Sequence, residues 1–152
     1  MIIMNLKETA IQFWDTQFKG IEPVKINRSD VRVETLLDKY LKIIGDHCET
    51  VIDIGCGMGT SLMTSLCLGN KIKKGVGLDT STHAIDFANQ TSKLSDFHEL
   101  SYIIGDETYL DSLADHSFEG IICSNFLDVI PKALSDKVIE SILRLLKPNG
   151  FV

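Results

Sequence analysis

The sequence of 152 residues has few of the features that mark secreted, metal-binding or membrane proteins. Its four cysteines form no C-x-x-C pair and have no histidine at zinc-ligand spacing: Cys48, Cys56, Cys67 and Cys123. The first residues do not form a secretory signal, and no apolar run approaches the roughly 20 residues of a membrane span. The sequence therefore predicts a cytoplasmic protein with free thiols and no metal site.

Basic residues are also in the minority. The chain has 15 Lys and Arg against 21 Asp and Glu, which gives a net charge of −6. This balance argues against a nucleic-acid footprint, and the densest basic run, residues 71–74, is short enough to be a solvated turn. With 44% hydrophobic and 24% charged residues, the chain has the composition of one globular domain.

Residues 51–59 carry the strongest functional signal in the sequence. The apolar residues Val51–Ile54, interrupted only by Asp53, precede the alternating glycines Gly55, Gly57 and Gly59. An apolar run of this length is typical of a buried strand, and glycines let the backbone turn sharply and approach a ligand. A helix beyond the turn would offer free N–H groups and a positive dipole end. The stretch therefore predicts a site for a nucleotide-type cofactor.

Strands and helices alternate along the whole chain. Strands are predicted at residues 51–54, 75–79, 100–104 and 118–123, with a fifth starting at residue 150. The alternation predicts an α/β fold, a parallel sheet with helices on both faces.

Capping signals place the ends of several helices. A capping box begins at Asn5, Ser29 or Asp30 is expected to start a second helix that stops at Gly45, and Ser135 is expected to cap the last helix. Residues 111–117 are expected to form a polar connection with one helical turn at most.

Four predicted strands end in residues suited to ligand binding. The glycines of residues 55–59 follow the first strand, Asp79 ends the second, Asp106 and Glu107 follow the third, and residues 124–125 follow the fourth. Ligands of open parallel sheets bind at the carboxyl ends of the strands, so these groups should converge.

The spacing of the glycines bears on the choice of cofactor. Asp79 can accept hydrogen bonds from both hydroxyls of a ribose, but this geometry also serves NAD. In the dinucleotide fingerprint G-x-G-x-x-G, Thr60 would occupy the position of the last glycine. Asp53, two residues before Gly55, would repel a pyrophosphate and attract a cationic group. A NAD-dependent oxidoreductase therefore remains an alternative, disfavoured by Thr60 and Asp53.

The segment Asp53–Gly59, with the sequence DIGCGMG, matches the D/E-x-G-x-G-x-G motif of class I S-adenosylmethionine-dependent methyltransferases. Residues 77–81 resemble the ribose-binding strand end of that family, and residues 105–107 are similar to its adenine-side segment. Residues 146–151, with the sequence LKPNGF, resemble an ending that is also typical of the family, and Phe13–Asp15 resembles an N-terminal segment of its small-molecule members. The resemblance covers nearly the whole chain.

The resemblance implies a Rossmann-like sheet of strand order 3-2-1-4-(5), without the C-terminal hairpin that completes the family's seven strands. Residues 1–48 would form N-terminal helices that cap and pack on a cofactor-binding core of residues 49–152, in a single domain. We expect a truncated form of a longer protein, or else a short one completed by a partner chain. The cut would leave the edge of the fourth strand unpaired and open to self-association.

The resemblance also implies roles for individual residues around the glycine turn. Gly55 and Gly57 would meet the amino-acid part of S-adenosylmethionine, with Cys56 between them as a small residue of the turn. Asp53 would support the polar end of the cofactor. Trp14 would close over the site, although core packing is an alternative for its helix.

The remaining predicted cofactor-binding residues follow the other strands. Asp79 would bind the ribose hydroxyls, and Thr80 would lie beside the adenine. Asp106 would reach the exocyclic amine of the adenine with Glu107 adjacent, although a helix cap is the structural alternative for Asp106. Ser124 and Asn125 would line the methionine side.

A methyl transfer from a sulfonium requires mainly the alignment and desolvation of the reactants, and a base only if the acceptor must lose a proton. The sequence shows no convincing catalytic residue, and Asp128 is either a loop acid or an acid that orients the acceptor. The resulting prediction is an S-adenosylmethionine-dependent methyltransferase with a small-molecule acceptor. The alternative is a module that binds S-adenosylmethionine without catalysis.

Overall fold

The computed structural model describes residues 6–152, so the capping box predicted at Asn5 lies outside the described residues. The helices are α1 (Leu6–Phe18), α2 (Leu36–His47), α3 (Thr60–Leu68), α4 (Thr82–Leu94), α5 (Glu107–Asp111) and α6 (Lys132–Leu145). The strands are β1 (Thr50–Ile54), β2 (Lys74–Asp79), β3 (Leu100–Ile104), β4 (Phe118–Ile122) and β5 (Leu146–Phe151). Among these helices, none is both long and apolar enough to cross a membrane.

The five strands form one sheet of order β3-β2-β1-β4-β5, and every neighbouring pair is parallel. This arrangement confirms the predicted α/β fold and its strand order. From β1, the chain adds β2 and β3 on one side of the sheet and then β4 and β5 on the other. The carboxyl ends of β1 and β4 therefore border the crevice in which ligands of such sheets bind.

The side chains of β1 alternate between two hydrophobic cores. Val51 belongs to the core shared with α2, α3 and α4, whereas Ile52 and Ile54 belong to the core shared with α5 and α6. All three are almost fully buried. Because helices cover both faces, the strand reads as a continuous apolar run, which is why the sequence identified it.

The start and end of α2 differ from the prediction. Thr35 caps the helix, and it forms a capping box with Asp38, whereas the predicted caps at residues 29–30 lie in a single 3-10 turn upstream. Gly45 does not stop the helix, which continues to His47. Gly45 instead packs against α3, where a Cβ would stand 2.1 Å from the carbonyl oxygen of Ser65.

Two further boundaries are corrected. The last helix begins at Lys132, after Pro131, rather than at Ser135, because a proline with its fixed φ can precede the first turn. The helical turn expected within residues 111–117 lies earlier, as α5, and is capped by Asp106.

The sequence predicted a largely unpaired edge at β4, and this prediction is wrong. Strand β5 begins at Leu146 and pairs with β4. The edge on this side of the sheet belongs to β5, whose pairing is irregular: Leu146 and Phe151 lie opposite Phe118 and Gly120. Pro148 lacks an N–H group, and such features hinder pairing with another strand. Self-association through this edge stays a prediction.

Candidate cofactor site

A cavity of about 310 Å³ lies at the carboxyl ends of the strands, a volume at the lower end of the range for small-molecule sites. Of the eleven residues predicted to bind the cofactor, ten line this cavity: Trp14, Gly55, Cys56, Gly57, Asp79, Thr80, Asp106, Glu107, Ser124 and Asn125. Asp53 is the exception. The structure therefore brings together groups that lie up to 111 residues apart in the sequence.

The glycine turn has a backbone that other residues adopt with difficulty. Gly55, Gly57 and Gly59 have φ values of 70°, 52° and 81°. At Gly55 a Cβ would also meet the ring of Phe126 at 2.2 Å. The N–H groups of Gly55 and Cys56 both donate to the carbonyl oxygen of Leu78, at 2.8 and 3.0 Å, which fixes the turn against β2.

Asp79 connects the glycine turn to the start of α4. Its Oδ2 accepts a hydrogen bond from the N–H of Gly57 at 2.8 Å, and its Oδ1 accepts one from the N–H of Ser81 at 2.9 Å. Each carboxylate oxygen can accept a further hydrogen bond, so Asp79 can order the turn and still accept from ribose hydroxyls.

Asp53 lies beneath the turn rather than in the cavity. It is 2% exposed, and it accepts a hydrogen bond from the N–H of Leu62 in the first turn of α3. Its Oδ2 has no hydrogen-bond partner within residues 6–152. Burial, with a smaller contribution from the Asp79 carboxylate, raises the pKa of Asp53 to about 7. A cation near the turn would favour its ionised form.

Asp106 is both a helix cap and part of the cavity wall. Its Oδ1 accepts from the N–H and the hydroxyl of Thr108, at 3.0 and 2.6 Å, and its Oδ2 lies 3.0 Å from Nζ of Lys7. The Thr108 hydroxyl, followed by Lys7, lowers the pKa of Asp106 to about 2. Glu107 accepts from the same lysine at 2.7 Å. The structural and functional interpretations of Asp106 are thus compatible.

Helix α1 covers one side of the cavity with Trp14 and Phe18, whose rings are stacked at 6.1 Å. Asp15 attaches this helix to the start of α4. Its Oδ1 accepts from the hydroxyl of Ser81 at 2.7 Å, and its Oδ2 lies 2.8 Å from Nδ1 of His83. These hydrogen bonds, that of Ser81 first, lower the pKa of Asp15.

Sequence reasoning missed several residues of the site. Lys7, two helical turns before Trp14, and Asp15, directly after it, were given no role, although both lie on a helix already identified as a cap. The segment 126–138 was also missed as a cavity wall, because its spacing predicts only loop and core. Asn125, directly before this segment, has a φ of 53°, a conformation in which asparagine is enriched.

The cavity carries a net negative charge. In the described part of the chain, the charged residues that line it are Asp79, Asp106, Glu107 and Lys7. Three carboxyl groups thus face one ammonium group, and the potential in such a cleft attracts cationic ligands. Together with the unpartnered carboxyl oxygen of Asp53, this arrangement fits a nucleoside that carries a cationic group.

A family profile described as a methyltransferase domain matches residues 46–152. The chain belongs to this family. The match begins at the end of α2 and includes every strand of the sheet. It confirms the resemblance to class I S-adenosylmethionine-dependent methyltransferases, and S-adenosylmethionine as the family's cofactor.

Comparison with individual proteins also finds similarity to methyltransferases. The chain is 25% identical to a ubiquinone biosynthesis O-methyltransferase of Paraburkholderia xenovorans, over 99% of this chain and 60% of the relative. Its fold is similar to that of a SAM-dependent methyltransferase from Aquifex aeolicus, with a TM-score of 0.61, 21% identity and coverage of 88% and 68%. It is also similar to PKMT2 from Rickettsia typhi, solved in complex with AdoHcy, with a TM-score of 0.60, 24% identity and coverage of 73% and 23%.

The chain covers 40% to 60% of the length of the first relatives that it matches. The relatives include proteins named for ubiquinone biosynthesis, RNA and ribosomal protein methylation. Their names therefore agree on methyl transfer and differ in the acceptor.

Proposed function

We propose that this chain binds S-adenosylmethionine in the strand-end cavity and transfers its methyl group to a small-molecule acceptor. The observation that carries the proposal is the geometry of Asp79, whose carboxylate orders the glycine turn through Gly57 and faces the cavity. A single carboxylate at this place serves both the cofactor's ribose and the turn that receives its amino-acid end. The net negative lining favours a cationic cofactor over a pyrophosphate.

We propose the roles that the family resemblance implies for these residues, and their positions around the cavity support them. Asp79 would accept from the ribose hydroxyls, and Thr80 would lie beside the adenine. Asp106 would reach the exocyclic amine of the adenine through Oδ2, which now lies 3.0 Å from Lys7, with Glu107 sharing that lysine. Cofactor binding on this side would therefore rearrange Lys7.

The other end of the cofactor would meet the glycine turn. Gly55, Cys56 and Gly57 would approach its amino-acid part, Ser124 and Asn125 would line the methionine side, and Trp14 would cover it. Asp53 would support this end through the turn, as a carboxylate that ionises when a cation is near.

When bound, the cofactor would supply an activated methyl group on a sulfonium, and the electron pair of the broken C–S bond would stay on sulfur, with any acceptor proton passing to solvent. The protein's part would be to align the reactants and to limit their contact with water, to which α1 and the segment 126–138 would contribute as walls of the cavity. Asp128 is not among the described residues that line the cavity, which favours its interpretation as a loop acid.

One alternative from the sequence remains. A non-catalytic S-adenosylmethionine-binding module would use the same cavity. The NAD-dependent oxidoreductase does not agree with the methyltransferase family or with the acidic lining. We also propose a cytoplasmic location, which the four free cysteines support.

Calorimetric titration with S-adenosylmethionine, S-adenosylhomocysteine and NAD tests this proposal. We expect both sulfur nucleosides to bind and NAD not to bind. Because Asp53 has a pKa of about 7 and a cation lowers it, binding of S-adenosylmethionine should strengthen as pH rises towards 7 and then level off. Titrations in buffers of different ionisation enthalpy should detect the released proton.

The matched control is Asp53→Asn, which keeps the shape of the side chain and should bind with little pH dependence and no proton release. Binding of NAD alone would overturn the proposal. Binding of S-adenosylmethionine with the same pH dependence in Asp53→Asn would overturn the role of Asp53.

A further inference from the structure

The carboxylates and the apolar residues of the cavity come from different parts of the fold. In residues 6–152 the carboxylates that line it lie at the carboxyl ends of β2 and β3, where Asp79 ends β2, Asp106 and Glu107 follow β3, and Lys7 pairs with the last two. The cavity residues that follow β4, on the other side of β1 in the sheet, are uncharged. We call the apolar ones among them, together with two residues of α1, the apolar wall, and define it by Ile11, Trp14, Phe126, Val129, Ile130 and Leu134.

The apolar wall begins directly at the glycine turn. The ring of Phe126 packs on Gly55 so closely that a Cβ at that glycine would stand 2.2 Å from the ring. Phe126 also packs against the core shared with α6, which fixes its position. A molecule seated on the apolar wall would therefore lie next to the amino-acid end of a cofactor held by the turn.

Two residues of the apolar wall are partly exposed. Trp14 from α1 and Val129 from the segment after β4 are 39% and 38% exposed, although both line the cavity. Their exposed apolar surface would be partly buried by a ligand seated on the wall, and burial of such surface favours binding. An indole and a phenyl ring on this wall also suit contacts with a flat ring.

The distribution of charge bears on the acceptor. An ionised acceptor of either sign on the apolar wall would lose its hydration without gaining a partner, because the carboxylates lie at the ends of β2 and β3, with Lys7 paired to two of them, where the adenosine part of the cofactor is proposed to bind. An anion would in addition be repelled by these carboxylates. We infer that the acceptor is an uncharged small molecule with a flat, largely apolar ring. This inference rests on the proposed function and narrows its substrate class.

The test uses the chain saturated with S-adenosylhomocysteine and three probes of the same ring: 1-naphthol, 1-naphthoate and 1-naphthylmethylammonium. Ligand-observed NMR titration gives the affinity of each. We expect 1-naphthol to bind at least tenfold more tightly than either charged probe. Equal binding of the three probes, or tighter binding of a charged one, would overturn the inference.

Two matched variants test whether 1-naphthol binds at the apolar wall. Val129→Asp places a carboxylate on the apolar wall and should weaken 1-naphthol at least tenfold while S-adenosylhomocysteine binds within twofold of the unmodified chain. Val33→Asp is the control, because Val33 is 39% exposed and does not line the cavity. Ile130→Asp provides a second wall variant if Val129→Asp does not fold. The same 1-naphthol affinity in wall and control variants would overturn the inference.

The same titrations distinguish a failure of the proposed function from a failure of this inference. If S-adenosylhomocysteine does not bind the unmodified chain, the cofactor assignment is wrong. If it binds and 1-naphthol does not, only the inferred acceptor class is wrong.

Discussion

Replacement of Asp79 by alanine is expected to weaken S-adenosylhomocysteine binding about 100-fold or more, the largest effect we predict on ligand affinity. The variant would lose the proposed acceptor for two ribose hydroxyls, and hydrogen bonds to charged groups contribute about 1.5–3 kcal/mol each. It would also release the N–H groups of Gly57 and Ser81, which donate to this carboxylate at 2.8 and 2.9 Å. The loss is measured by calorimetry.

Two variants serve as controls for Asp79. Asp79→Asn keeps the shape of the side chain and one acceptor oxygen, so its affinity should lie between those of the unmodified chain and Asp79→Ala. Asp128→Ala removes a carboxylate that does not line the cavity and should leave the affinity unchanged. Binding to Asp79→Ala within threefold of the unmodified chain would remove the ribose assignment.

Replacement of Gly45 by alanine is expected to lower the free energy of unfolding by about 3 kcal/mol or more, the largest effect we predict on stability. The added Cβ would stand 2.1 Å from the carbonyl oxygen of Ser65 and 3.0 Å from the Cα of Gly69. Both contacts are with backbone, so no side chain can rotate to relieve them. The helices α2 and α3 would have to separate. Urea unfolding followed by circular dichroism measures the change.

Gly20→Ala provides the matched control for this prediction. Gly20 has a φ of 78°, but nothing lies within 4 Å of the position of its Cβ. The variant should therefore lose only the roughly 1–2 kcal/mol that a left-handed backbone costs an alanine. A loss in Gly45→Ala no larger than that in Gly20→Ala would contradict the close approach of α2 and α3.

Much of the fold could be predicted because its signals are local. The apolar run of β1 and the glycines after it lie within ten residues, and Asp79 ends the next apolar run. Parallel topology then places their ends together. Gly45 shows the limit of such signals. A glycine near the end of a helix pattern predicts a stop, but here it permits contact with Gly69, and this contact depends on tertiary packing.

In the site, too, residues with local sequence signals could be predicted, and residues that depend on tertiary contacts could not. Residues at strand ends were identified, since each strand end is visible in the sequence. Lys7 was not, because its partners Asp106 and Glu107 lie 99 and 100 residues away. Asp53 was expected to support the polar end of the cofactor, but the alternation of side chains along β1 directs it to the face of Val51, beneath α3 and outside the cavity lining. Its contact with Leu62 follows from that direction.

The central claim is that the strand-end cavity holds S-adenosylmethionine between Asp79 and the glycine turn. A crystal structure of the chain with S-adenosylhomocysteine tests this claim most directly. The account predicts ribose hydroxyls within hydrogen-bond distance of Asp79 and the amino-acid end of the ligand against Gly55 and Gly57. A ligand bound elsewhere, or one whose ribose lies away from Asp79, would contradict it.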